Sequence, residues 1–158
     1  MNKYIAIFVL ILSFIIVLFE CKVCFGRDYS SWLESCKSYR NQVESILLNN
    51  GVSKQYYYLM VAESRCKHKA RSKAGAVGFW QMLPATSKHF GCNNPDDIEC
   101  ATIAAAGYIK SLEKRFNTFQ DVIAAWNMGG HNYSRNGATA QALGLVYRVK
   151  QIRRADKR

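Results

Sequence analysis

Apolar residues Trp32, Leu33, Cys36, Tyr39, Val43, Ile46 and Leu47 recur at three- and four-residue intervals and stop at Asn50-Gly51. This predicts an amphipathic helix from about Ser30 to Asn49. A second face follows at once: Val52, Tyr56, Leu59, Met60 and Glu63 share one side of a helix that Ser53 is placed to cap and that ends by about Arg65. From Cys66 to Gly78 the chain is polar, basic and glycine-containing, and reads as a loop. Pro84 suits a first helical turn and Gly91 a stop, giving a short helix Pro84–Phe90.

Asp96 with Glu99 three residues on reads as a capping box opening a helix to about Phe116. Its stripe is Ile98, Thr102, Ala105, Ile109, Leu112 and Phe116, and its small residues from Ala101 to Gly107 mark it as the central buried helix. Thr118 and Asp121 start another helix, with Phe119, Val122, Ile123 and Trp126 pointing inward and Gly129-Gly130 ending it. A polar loop is expected from His131 to Thr139. A last helix, about Ala140 to Arg154, carries Leu143, Val146, Tyr147 and Val149 before a basic tail. There is no alternating strand pattern and no internal repeat, so the class is all-α.

The first 26 residues stand apart. Lys3 precedes an apolar run from Tyr4 to Phe19 broken only by Ser13, and Glu20 to Gly26 closes it. This is the pattern of a secretory signal. The run exceeds the usual signal core of about 7–15 residues and falls short of the roughly 18 of a membrane span, so cleavage near Gly26 and an uncleaved anchor both stand. Glu20 before Cys21 fits a lipid-modified cysteine badly. Either way residues 27–158 form one exported domain, periplasmic or otherwise in the cell envelope, and any membrane contact is through the N-terminal segment.

Charge narrows the partners. The chain carries 22 Lys and Arg against 11 Asp and Glu, and without residues 1–26 it keeps 20 and 10, a net +10. Basic residues cluster at Arg65, Lys67, Lys69, Arg71 and Lys73 and again from Arg148 to Arg158. For an exported domain the anionic partners are wall polymers or membrane surface, not nucleic acid; a solvated basic surface is the plainer alternative. Four cysteines remain beyond the segment, at positions 36, 66, 92 and 100. Two disulfides with three possible pairings are expected, Cys92–Cys100 as a local clasp and Cys36–Cys66 being favoured, with buried free thiols as the other reading.

Glu63 is the candidate for chemistry. A carboxylate on a buried stripe loses hydration, its pKa rises, and it can stay protonated as a general acid. The alternative is a structural Glu neutralised by a nearby cation such as Arg65. The segments around it shift the balance toward chemistry. Glu63-Ser64 at a helix end, Gly75-Ala76-Val77-Gly78-Phe79-Trp80-Gln81-Met82-Leu83-Pro84-Ala85-Thr86, and Ala124-Ala125-Trp126-Asn127-Met128-Gly129-Gly130 stand in this order. Together they resemble the catalytic domain of lytic transglycosylases of the lysozyme-like superfamily, over about Val52 to Ile152.

The resemblance implies a lysozyme-like helical domain with a substrate cleft that cuts peptidoglycan glycan strands between N-acetylmuramic acid and N-acetylglucosamine. It assigns the acid to Glu63 and substrate contacts to Gln81 and Asn127, with the backbone at Gly78 approached closely. A late tyrosine near the acid corresponds to Tyr147. Phe79-Trp80 replaces the family's Leu-Met and Trp126 its usual Tyr. Trp80 either stacks on a sugar face or fills the core between loop and helix; Trp126 reads as core. Ser64 either orients Glu63, the favoured reading, or caps a carbonyl.

The acid inventory suits this family. Ordinary glycosidases need two carboxylates, about 5–5.5 Å apart when retaining and about 6.5–9.5 Å when inverting. Beyond Glu63, residues Asp96, Asp97, Glu99 and Asp121 read as helix starts, Glu113 lies between Lys110 and Lys114, and Asp156 lies in the tail. His68, His89 and His131 show no metal-ligand spacing, so neither metal nor cofactor is expected. Two rivals remain: a hydrolytic lysozyme acting on the same bond, and an inactive wall-binding module. The resemblance also suggests local wall opening for a secretion, conjugation or pilus apparatus.

Overall fold

The computed structural model describes residues 28–158; the signal or anchor expected over residues 1–26 lies outside them, as do Cys21 and Cys24. In chain order the described residues form α1 (Ser30–Cys36), a 3-10 turn (Lys37–Tyr39), α2 (Arg40–Asn49), a second 3-10 turn (Lys54–Tyr56), α3 (Tyr57–Ser64), α4 (Pro84–His89), α5 (Ile98–Glu113), α6 (Phe119–Met128), α7 (Gly130–Asn136) and α8 (Ala140–Ala155). No strand occurs among them. The loop between α3 and α4 is held by isolated antiparallel bridges Arg71–Val77 and Val77–Met82.

The centre of the fold is α3, not α5 as the small-residue run suggested. Tyr57, Tyr58, Leu59, Met60, Val61, Ala62 and Ser64 are all buried. A helix apolar all round has no solvent face to offer and belongs in the middle. By contrast α5 buries one side and leaves Ile103 43% exposed on the other. Around α3, α8 packs against both α3 and α6, and α2 packs against α5. Glu63 is the one residue of α3 that is only half-buried.

Local chemistry explains where the boundaries differ from expectation. The helix expected from Ser30 to Asn49 is interrupted by the 3-10 turn Lys37–Tyr39 directly after Cys36. The cap of α5 is Asp97, whose carboxylate accepts from the Cys100 amide at 2.7 Å; Asp96 instead takes a bidentate pair from Arg71 at 2.8 and 2.7 Å. The polar segment expected as a loop from His131 contains the helix α7. It is tied down by Tyr133, whose ring lies 5.1 Å from Phe116 and whose hydroxyl donates to Asp121, and by Arg115, which donates to the Gly130 carbonyl and Ser134. One aromatic and a few polar bonds hold it, so no apolar stripe announced it.

In α8 the inward stripe is Ala142, Leu145, Val149 and Ile152, at helical spacing. Leu143 and Tyr147 sit off that stripe and are 56% and 47% exposed. Nor is Asp156 a loose tail residue. Arg40 reaches it from α2 with two bonds of 2.8 and 2.9 Å, and the Tyr58 hydroxyl donates to it at 2.7 Å. Both favoured disulfides are formed, Cys36–Cys66 with Cα atoms 5.3 Å apart and Cys92–Cys100 at 5.2 Å. Among the described residues no helix is long and apolar enough to cross a membrane.

Candidate active site

The half-buried Glu63 opens into a cleft of about 460 Å³. Three stretches of chain build its walls. The α3–α4 loop brings Ser72, Ala76 and Gln81; the end of α6 brings Trp126, Asn127 and Met128; the start of α8 brings Gln141. Met82, Leu83 and Tyr108 add apolar surface. Glu63 is the one carboxylate on this lining among the described residues.

Burial pushes the Glu63 carboxyl from its ordinary 4.5 up to about 7. Two groups work against that rise by favouring the anion: the positive charge of Arg148, and a hydrogen bond that the Trp126 indole Nε1–H donates to Glu63 Oε1 at 3.2 Å. A carboxyl near 7 is close to half-protonated at neutral pH, so it can both give and accept a proton there.

The indole is set by packing behind it. The Trp80 ring is 5.9 Å from that of Trp126, and Trp80 Nε1 donates to Thr102 Oγ1 at 3.0 Å, anchoring the pair to α5. On the other side the Tyr108 ring lies 5.2 Å from Trp126, tilted by 39°. Trp126 is thus held between two aromatics, and its polar edge is left to meet the carboxylate. The sequence placed Trp126 in the core. It is 7% exposed, but it also touches the acid.

The residues expected on substrate divide into two groups. Gln81 and Asn127 line the cleft with Glu63. Gln81 sits at φ +49, and its Nε2 donates to the carbonyls of Gly78 and Ala70 at 3.0 and 3.2 Å, so part of its amide fastens the loop. The other four lie elsewhere. Ser64 is buried, donates to the Met60 carbonyl and accepts from the Cys66 amide at 3.0 Å; it caps the end of α3 and does not orient Glu63. Trp80 is 1% exposed and fills the core between loop and helix. Gly78 has φ +74, and a Cβ there would lie 1.9 Å from the Pro95 carbonyl oxygen, so its missing side chain admits Pro95; it is absent from the cleft lining. Tyr147 is exposed and absent from the cleft lining.

Its neighbour in sequence points inward instead. Arg148 is half-buried, with its Nε buried and without a hydrogen-bond partner. It was hidden in a basic run, although its spacing of three from Leu145 and four from Ile152 places it on the inward stripe of α8. The cation suggested for Glu63, Arg65, is occupied elsewhere: its guanidinium lies 4.0 Å above the Trp32 ring. With Arg71 paired to Asp96, two of the five cations in that basic cluster serve the fold itself.

Sequence comparison with known proteins finds one family model and curated relatives. The family model described as Transglycosylase SLT domain matches residues 43–145, which include Glu63, Gln81 and Asn127 and stop short of Tyr147 and Arg148. The membrane-bound lytic murein transglycosylase D of Escherichia coli strain K12 is 28% identical over 111 residues. The protein of the same description from E. coli O6:H1 (strain CFT073 / ATCC 700928 / UPEC) is also 28% identical over 111 residues. In both, the match takes in 66% of this chain and 22% of the relative, so the chain spans about a fifth of the length of these curated relatives.

Proposed function

This chain belongs to the transglycosylase SLT domain family, and from that premise we propose that it is a lytic transglycosylase cleaving the β-1,4 bond between N-acetylmuramic acid and N-acetylglucosamine in peptidoglycan. The observation that carries the reading is the single carboxyl in the cleft, pushed up to about 7 by burial and bonded to an indole N–H. Protonated Glu63 gives its proton to the glycosidic oxygen as the bond to C1 breaks. The substrate's own N-acetyl oxygen stabilises C1 in place of a second protein carboxylate. Glu63, now anionic and favoured by Arg148 and Trp126, takes the proton of the muramyl C6 hydroxyl as that oxygen closes on C1. The products are a 1,6-anhydromuramyl end and a free N-acetylglucosamine 4-hydroxyl, with no net addition of water. Gln81 and Asn127 are the candidates to hold the flanking sugars.

Residues 1–26 would carry the domain out of the cytoplasm, as a cleaved signal or an anchor. The domain would then act in the cell envelope, where its basic surface favours anionic wall polymer. Local wall opening for a transenvelope secretion, conjugation or pilus apparatus is the cellular role proposed for it. Mass spectrometry of digested sacculi tests the chemistry. Anhydromuropeptides are expected; reducing muramyl ends would mean a hydrolytic lysozyme, and no released muropeptide would mean a wall-binding module.

A further inference from the structure

One glycine has no structural reason to be a glycine. Gly107 and Gly130 are pressed against Phe90 and Arg115, where a Cβ would lie within 3 Å of a side-chain atom, and the other described glycines except Gly144 have positive φ. Gly144 has neither. It is exposed, it is the fifth residue of the 16-residue α8, and a Cβ built on it meets nothing within 4 Å. Glycine is the poorest helix former after proline, so its presence inside a regular helix weakens α8 without improving any contact.

Its position supplies a reason. Residues three and four apart share a helix face. Gly144 follows Gln141, which lines the cleft, by three, and precedes Arg148, whose charge reaches Glu63, by four. Gly144 is not itself on the cleft lining; helical spacing sets it beside Gln141, just outside the cleft on the exposed side of α8, with the exposed Tyr147 one turn further on.

We propose that Gly144 is a specificity-determining gap: the glycan strand leaves the cleft past Gln141 and crosses α8 against the backbone at Gly144, where a side chain would obstruct it. The occupant is the same polymer whose cleavage is proposed above, and the inference rests on that reading.

Binding is measured on purified sacculi with the protein carrying Glu63→Gln, so that the strand is held without being cut, and thermal midpoints are recorded beside it. Gly144→Ala is expected to raise the midpoint by about 3 °C, since the site has the space and the helix gains a better former. Gly144→Leu should keep at least the parent midpoint while losing about tenfold or more in affinity for sacculi. In the cleaving background the same change should raise the apparent KM far more than it lowers kcat. Leucine at this position binding within twofold of the parent overturns the proposal and leaves the transglycosylase reading intact. A fall in midpoint for Gly144→Ala also overturns it, because the glycine would then serve packing. A parent protein that neither binds sacculi nor, with Glu63 restored, releases muropeptides removes the functional reading and the gap with it.

Discussion

Trp126 Nε1 donates to Glu63 Oε1 at 3.2 Å, joining the end of α6 to the end of α3 across the floor of the cleft. The bond favours the anion, as does the charge of Arg148, while burial favours the acid more strongly. Removing either helper should therefore raise the Glu63 pKa above its present value of about 7. Activity that needs the protonated acid falls as pH rises through that value. We expect Trp126→Phe, which keeps a ring between Trp80 and Tyr108 but loses the N–H, to move the alkaline limb of the pH–rate profile upward. Arg148→Met should move it in the same direction. A profile unmoved in both variants would show that neither group faces the carboxyl in solution.

Glu63→Gln should abolish cleavage, with a loss of at least about 10²–10⁴-fold expected for removing a general acid. The fold should not suffer. A carboxyl whose pKa is raised on folding contributes stability that is present below about pH 4.5 and lost as pH rises through about 7. Ionisation above that pH costs the parent up to roughly 3 kcal/mol, which an uncharged amide avoids. Denaturant melts at pH 5 and pH 8 check this: the variant should gain on the parent at the higher pH. A variant that unfolds at both values would mark Glu63 as structural.

Gly78→Ala should cost well over 2 kcal/mol, because the new Cβ would meet the Pro95 backbone oxygen at 1.9 Å in a positive-φ position. Gly75→Ala supplies the control. Gly75 also has positive φ, at +84, but open space around it, so only the backbone cost of about 1–2 kcal/mol applies. Equal thermal shifts in the two variants would show that contact with Pro95 does not hold the loop.

Much of this organisation was legible in the sequence because it is local. Helical periodicity located α3 and Glu63, Pro84 located α4, and the two glycine-bounded segments brought Gln81 and Asn127 to one cleft. What escaped depends on which neighbour meets which face. Trp126 falls on an inward stripe, and periodicity says nothing of where an indole N–H points. Arg148 looked like one more cation of a basic tail. Tyr147, one residue before it, was placed near the acid, yet one step along a helix turns a side chain by about 100°, enough to send it into solvent. Ser64 and Gly78 lie inside recognisable motifs but serve the helix end and the loop packing.

The tie between Asp156 and Arg40 gives the last expectation. Burial raises the Asp156 carboxyl, but the bonds from Arg40 and Tyr58 outweigh it and hold the group below its ordinary 3.8. Such a group contributes stability that is present above pH 3.8 and lost as pH falls through its folded value. This slope is opposite to that of Glu63. The parent should therefore be most stable in the mildly acidic range, losing on the acid side as Asp156 protonates and on the alkaline side as Glu63 ionises. The pair is partly exposed, with side chains 35% and 19% accessible, so its worth is modest despite the bidentate geometry. Asp156→Asn should cost about 1–2 kcal/mol near neutral pH, loosen the end of α8, and flatten the acid limb of the stability curve. Denaturant midpoints for parent and variant between pH 3 and pH 8 decide it; an acid limb unchanged by the substitution would assign that loss to other carboxylates.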